Sequence, residues 1–103
     1  MLEHTSPPLH PGAILREEIF PSLHIESQQA ASRLGVDPDY LERVLLEEAP
    51  VTADLALRLE AWLGEERGGR AVLWLSEQAT YDLWCASHKD IDQIEPLFEH
   101  AAK

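Results

Sequence analysis

The side chains that could do chemistry in this sequence are few. Five histidines (His4, His10, His24, His88 and His100) and one cysteine, Cys85, are the candidates for metal binding or nucleophilic attack. The histidines are scattered without a ligand spacing such as HExxH, which fits surface or packing roles. A single cysteine closes no intrachain disulfide and leaves the multi-cysteine zinc patterns unfilled. It fits a reducing, cytoplasmic setting, and Cys85 reads as a packing residue. Ser, His and Asp occur, but in no GxSxG-type frame, and Gly68-Gly69 lacks the Lys-Ser/Thr of a phosphate-cradling loop. The expectation is a protein that is not an enzyme and carries no metal and no cofactor. The chemistry left over is recognition.

Recognition side chains need a scaffold, and composition bounds it. The chain has 103 residues, 45% hydrophobic and 26% charged, which suits one globular domain. Nineteen acids against eight Lys and Arg give a formal net charge of −11. That excludes a globally basic nucleic-acid binder and a protein held on anionic lipid. It favours encounter with a basic protein. No stretch is long and apolar enough to span a membrane, and MLEHTSPPLHPG is not built as a secretory signal. Residues 1–9, with Pro7 and Pro8, read as a short extended arm.

Apolar residues recur at three and four, and alternating β-branched runs are missing, so the expected class is all-α. A first helix begins near Pro11, with Leu15, Ile19 and Leu23 on one face. Pro21 should end or kink it by about Phe20. A second spans about Ser27 to Leu34, capped by Glu26 or Ser27 and closed by Gly35. Asp37 caps a third, with Pro38 at its first position and Leu41, Val44 and Leu45 buried. Thr52 caps a fourth, carrying Leu55, Leu59, Trp62 and Leu63 inward. A glycine-containing break, Gly64 to Gly69, precedes a fifth helix from about Ala71 to Ser87. A last short helix is expected over Asp90 to His100.

The small Ala30 and Ala31, the Gly35 turn and the capped helix after it read as a helix-turn-helix over about 27–46. On it, Asp37, Asp39, Tyr40 and Arg43 fall on the exposed front of the third helix, with Ser27 and Gln28 at the start of the second and Arg33 nearby. Arg43 can address a guanine edge, Tyr40 or Gln28 a phosphate or base, and an aspartate a cytosine amine. The alternative is that Arg43 simply pairs with Asp39 or Glu47 on a solvated face. On the fifth helix, Trp74, Tyr81 and Trp84 line one side, and Val72, Leu75, Ala79, Leu83 and Ala86 another. One stripe is enough to close a small domain, so the aromatic one, with Gln78, is a candidate protein interface. The alternative is that both stripes are core, covered by a terminal helix folding back.

Four motifs in order carry a family resemblance. His10-Pro11-Gly12-Ala13-Ile14-Leu15-Arg16-Glu17-Glu18 resembles the HPGEILREE opening of the HigA/VapI antitoxins, and Leu34-Gly35-Val36 sits at their helix-turn-helix turn. Val51-Thr52-Ala53-Asp54-Leu55-Ala56-Leu57-Arg58-Leu59 is similar to their ITADTALRL. Trp74-Leu75, Gln78 and Tyr81-Asp82-Leu83 are similar to WLNLQxxYDL. Together they cover about residues 10–86. The resemblance implies a λ-repressor-like five-helix domain over 10–88, here followed by a helical extension in 89–103. It implies an antitoxin that represses its own operator DNA as a homodimer, which makes Trp74, Gln78, Tyr81 and Trp84 the expected dimer interface, and that neutralises a basic, mRNA-cleaving RelE/HigB-like toxin.

Three departures stand out. Residues 37–48 hold five acids and only Arg43, a charge of −4 where phosphates favour cations. The Gly64–Arg70 linker is about four residues longer than usual, and Pro21 intrudes on the first helix. The acidic third helix leaves open a second reading: a protein-only interaction module on the same fold that has lost DNA binding. Toxin contact is expected on acidic helical surface, with Glu17, Glu18 and the Asp90–Glu99 tail as candidates.

Overall fold

The computed structural model describes residues 7–89 and 94–98. Among these the chain is all-helical. The first helical body runs through α1 (Pro11–Ile14), a π segment (Leu15–Ile19) and α2 (Phe20–Leu23), and is followed by α3 (Ser27–Leu34), α4 (Pro38–Leu45), α5 (Ala53–Leu63), a 3-10 turn (Glu65–Arg67) and α6 (Ala71–Ser87). Of the two outcomes expected at Pro21, an end or a kink by about Phe20, the end does not form; the regular α-helix is instead interrupted by the π segment just before the proline. The Phe20 N–H reaches back to Leu15 O, the wider π spacing, and the proline opens the α-helical segment that follows, where its missing donor is tolerated. The body closes at His24, in the left-handed conformation at φ 55°.

Local chemistry fixes the other ends. Glu26, not Ser27, caps α3: its side chain accepts from the Gln29 backbone, and the Gln29 side chain accepts from the Glu26 N–H at 3.1 Å. Gly35 leaves α3 at φ 72°, a conformation costly for any side chain with a Cβ. Asp37 accepts from the Asp39 N–H at 3.1 Å, and Thr52 from the Leu55 N–H at 3.2 Å. The expected helix over Asp90–His100 is not seen in its described part. Ile94–Phe98 is irregular, as Pro96 removes a donor and restrains Glu95; residues 90–93, 99 and 100 of that expectation lie outside the described residues.

The core gathers Leu15, Phe20, Leu34, Leu41, Val44, Leu55, Leu59 and Trp74. The first body packs on α4 and α6, α3 on α4 and α5, and α5 on α6. Gly12 makes the α1–α4 contact possible: a Cβ there would lie 1.8 Å from Val44 O. His10 anchors the same corner. It is buried, its Nδ1 accepts from the Gly12 N–H at 2.9 Å, and its ring meets Tyr81 edge-on at 4.9 Å.

Burial holds the His10 imidazole below its ordinary range, against the pull of Glu47 and Asp82. The capping Nδ1 must also keep its lone pair. Neutral His10 therefore contributes stability that is complete above the unfolded value of about 6.5 and is lost as pH falls through the lower folded value. The thermal midpoint is expected to fall between pH 7 and pH 5. His10→Asn, which keeps an acceptor cap, should flatten that part of the profile. An equally steep fall in the variant would assign the effect to another group.

Candidate nucleic-acid interface

α4 presents one face to the core and one outward. Leu41, Val44 and Leu45 are buried, whereas Pro38, Asp39, Glu42, Arg43 and Leu46 are exposed. Its rear is fastened from several sides. Arg16 donates to Leu45 O at 2.6 Å and to Glu47 at 3.2 Å, so a guanidinium covers the carbonyl end of α4. Glu17, at 2.7 Å, completes the cluster and is the leading cause that holds Arg16 above its ordinary range. Arg58 does the same for α3, donating to Leu34 O at 3.0 Å while paired with Asp54 at 2.9 Å. These two cations are engaged at helix ends.

Arg43 is exposed and makes no ion pair with a described residue. The expected alternative, pairing with Asp39 or Glu47, does not form; Glu47 is held by Arg16 instead. Gln28, Asp37 and Asp39 are exposed at the same edge, and Ser27 Oγ donates to Glu42 at 3.2 Å across the α3–α4 junction.

Two of the expected reading residues are placed elsewhere. Tyr40 is a post between α4 and the following loop: its hydroxyl donates to Pro50 O at 2.6 Å and accepts from the Thr52 N–H at 3.4 Å. Arg33 lines a different cleft, with Leu23, Ile25, Trp62, Leu63 and Arg67, none of them from α4. Glu42 and the half-exposed Leu46 join the front unannounced; both fall off the 41/44/45 stripe, which was the available signal.

The expected dimer residues need a larger correction. Trp74 is 3% exposed and part of the core, and Gln78 is 6% exposed. Gln78 Oε1 accepts from the Val51 N–H at 2.8 Å, and its amide donates to Asp82 at 2.9 Å. That loop N–H has no helical acceptor, so it draws the Gln78 side of α6 inward. Tyr81 is half-buried against His10, with its hydroxyl raised above its ordinary range first by a hydrogen bond with Cys85, and Trp84 lies over His88 with ring centroids 4.0 Å apart. The stripe expected to be core is largely outside: Val72 is 59% and Leu83 70% exposed, with Ala79 and Ala86 exposed and Leu75 half-buried between.

No cluster of His, Cys, Asp or Glu among the described residues is placed to hold a metal, and no helix among them is long and apolar enough to cross a membrane. Two short helices at a glycine turn, braced by three others and exposed along the second, define a helix-turn-helix protein. The chain is 38% identical over 93 residues to virulence-associated protein I of Dichelobacter nodosus, covering 88% of this chain and 82% of that protein. It is similar to the Pseudomonas aeruginosa antitoxin HigA solved with the higBA promoter: TM-score 0.72, 32% identity, 88% of this chain and 99% of that one. An addiction module antidote protein of the HigA family from Coxiella burnetii gives TM-score 0.69 and 32% identity over 79% of this chain and 84% of that one. No family model matches the chain. The chain belongs to the HigA/VapI family of antitoxins.

The placement of Trp74 makes a prediction. Trp74→Ala should cost about 3–5 kcal/mol of stability in a denaturant titration, as truncation of a core aromatic does. A fully stable variant that merely changes oligomeric state would restore the aromatic stripe as an interface.

Proposed function

We propose that this chain is a HigA-type antitoxin that represses its own operator as a homodimer and neutralises a basic, RelE-like mRNA-cleaving toxin. The observation that carries the DNA part is the outward front of α4, where Arg43 is exposed and makes no ion pair with a described residue, with Asp39 and Glu42 exposed on the same helix. Arg43 addresses a guanine edge, and the carboxylates accept from cytosine amines. Relatives support this reading: one P. aeruginosa neighbour was solved with its operator DNA, another with a promoter. The charge of the 37–48 stretch favours a second reading, the protein-only module, because each carboxylate near a phosphate is repulsive.

Titration with the DNA upstream of its own gene separates the two. Specific binding that weakens with salt is expected, and Arg43→Ala should weaken it about 10–100-fold, the worth of one good bidentate base contact. Unchanged affinity in the variant would remove Arg43 from the reading set. Absence of binding at low salt, beside tight binding to a neighbouring toxin, would select the protein-only module.

For the toxin, the acidic surface between the first helical body and α6 is the candidate. Glu18 and Glu77 line one groove there with Ile14, Ile19, Leu73 and Trp74. Burial first, and Glu18 second, push the Glu77 carboxyl above its usual range, so a cation delivered to the pair is favoured. Trp74 also holds a buried indole N–H without a partner among the described residues.

For the homodimer, the aliphatic stripe Val72, Leu75, Ala79, Leu83 and Ala86 replaces the aromatic one. Apart from half-buried Leu75 it is exposed, it runs the length of α6, and its small central Ala79 allows close helix approach. Leu83→Glu is expected to give monomers in sedimentation with helix content intact. A dimer that survives the substitution would place the interface elsewhere.

A further inference from the structure

The long Gly64–Arg70 linker folds as a 3-10 turn that carries Arg67 to the cleft at Trp62. The cleft is lined by Leu23, Ile25, Arg33, Trp62, Leu63 and Arg67. Neither arginine makes an ion pair with a described residue. In a chain of net charge −11, two guanidinium groups with no acidic partner among the described residues therefore line one cleft walled by Leu23, Ile25, Trp62 and Leu63. At about 270 Å³ it is smaller than a drug-sized pocket and suits one or two apolar side chains with an acid beside them.

The same chain carries a segment of the opposite character. Ile94, Leu97 and Phe98 are 71%, 88% and 76% exposed, with Glu95 and Pro96 between them. Asp90, Asp92 and Glu99 flank it in the sequence. Apolar side chains with one acid, Glu95, among them match apolar walls carrying arginines, and Arg–carboxylate pairs with buried aromatic or aliphatic anchors are the usual strong elements of an interface.

Geometry favours a second copy over the same copy. α6 has 17 residues, so it is about 25 Å long. Arg67 precedes its first residue and Ile94 follows its last. In one copy the seven residues from Ser87 to Ile94 would have to run back fully extended, at most about 25 Å, to bring even Ile94 to the cleft. In an antiparallel pair of α6 helices crossing at Ala79, Val72 of one copy faces Ala86 of the other. The end of one α6 then lies beside the start of its partner, next to the Arg67 turn.

We infer that Ile94–Phe98 of one copy seats in the Arg33–Trp62–Arg67 cleft of a second copy, with Glu95 on the arginines and Leu97 and Phe98 on the apolar walls. This rests on the homodimer reading above. The exchange is reciprocal, so each dimer holds two such contacts and the long linker serves as a receptor for the tail.

The test mixes two single-cysteine chains, both in a Cys85→Ser background. One carries Glu66→Cys, beside the cleft; the other carries Pro96→Cys, within the segment. After mild oxidation a disulfide joining the two kinds of chain is expected, in clear excess over either self-disulfide, read by intact mass. No mixed disulfide, or self-disulfides alone, overturns the inference. Sedimentation of the unsubstituted chain separates the causes: a dimer without the mixed link sinks the tail contact only, and a monomer sinks the dimer as well. In a second measurement, the Leu97→Ser, Phe98→Ser double variant should raise the dimer Kd at least about tenfold. An unchanged Kd would also overturn the inference.

Discussion

The arrangement depends on how closely the first helical body approaches α4. Gly12 leaves no side chain in the way, so the backbone of α1 comes against Val44 O. That approach sets Arg16 within reach of Leu45 O and the Glu47 carboxylate. It also places buried His10 between the start of α1 and Tyr81 on α6. One close contact thus fixes the rear of α4, the carbonyl end of α4 and the seat of α6. The exposed front of α4 follows from a rear with no freedom to turn.

The same economy explains the charge distribution. The chain has few cations, and two of its arginines are committed to helix carbonyl ends, Arg16 on α4 and Arg58 on α3. Helix ends with uncovered carbonyls are costly, and a guanidinium covers them while opposing the macrodipole. Arg33 and Arg67 line a cleft with Trp62 that holds no residue of α4. Arg43 is left as the basic side chain of the α4 front, among carboxylates. On the proposed DNA-binding reading, such a surface would draw little on phosphate neutralisation and more on shape and base edges.

Much of this was legible in the sequence, for reasons that differ by residue. Asp37-Pro38, Thr52 and Gly35 announce helix ends because their side chains or backbone freedom act locally. The buried stripe of α4 was legible because its opposite face is polar. α6 was not, because both of its sides are apolar. The choice between them was made by Gln78, whose partner is a loop N–H 27 positions away. Tyr40 was misplaced for a similar reason: its hydroxyl is taken by Pro50 O, ten positions on. Pro21 signalled an end or a kink near Phe20, but not which; the π turn that forms there leaves no compositional mark. Local grammar was readable; polar partners distant in sequence were not.

The central claim is that the α3–α4 pair is a preformed unit whose α4 front meets DNA. Amide chemical-shift mapping of the ¹⁵N-labelled chain with its upstream duplex tests this most directly. Shifts should concentrate on Gln28, Asp39, Glu42 and Arg43 and leave Trp74, Gln78 and the rest of the α6 inner face unmoved. A silent α4 with shifts gathered at Arg33 and Arg67 would contradict the account.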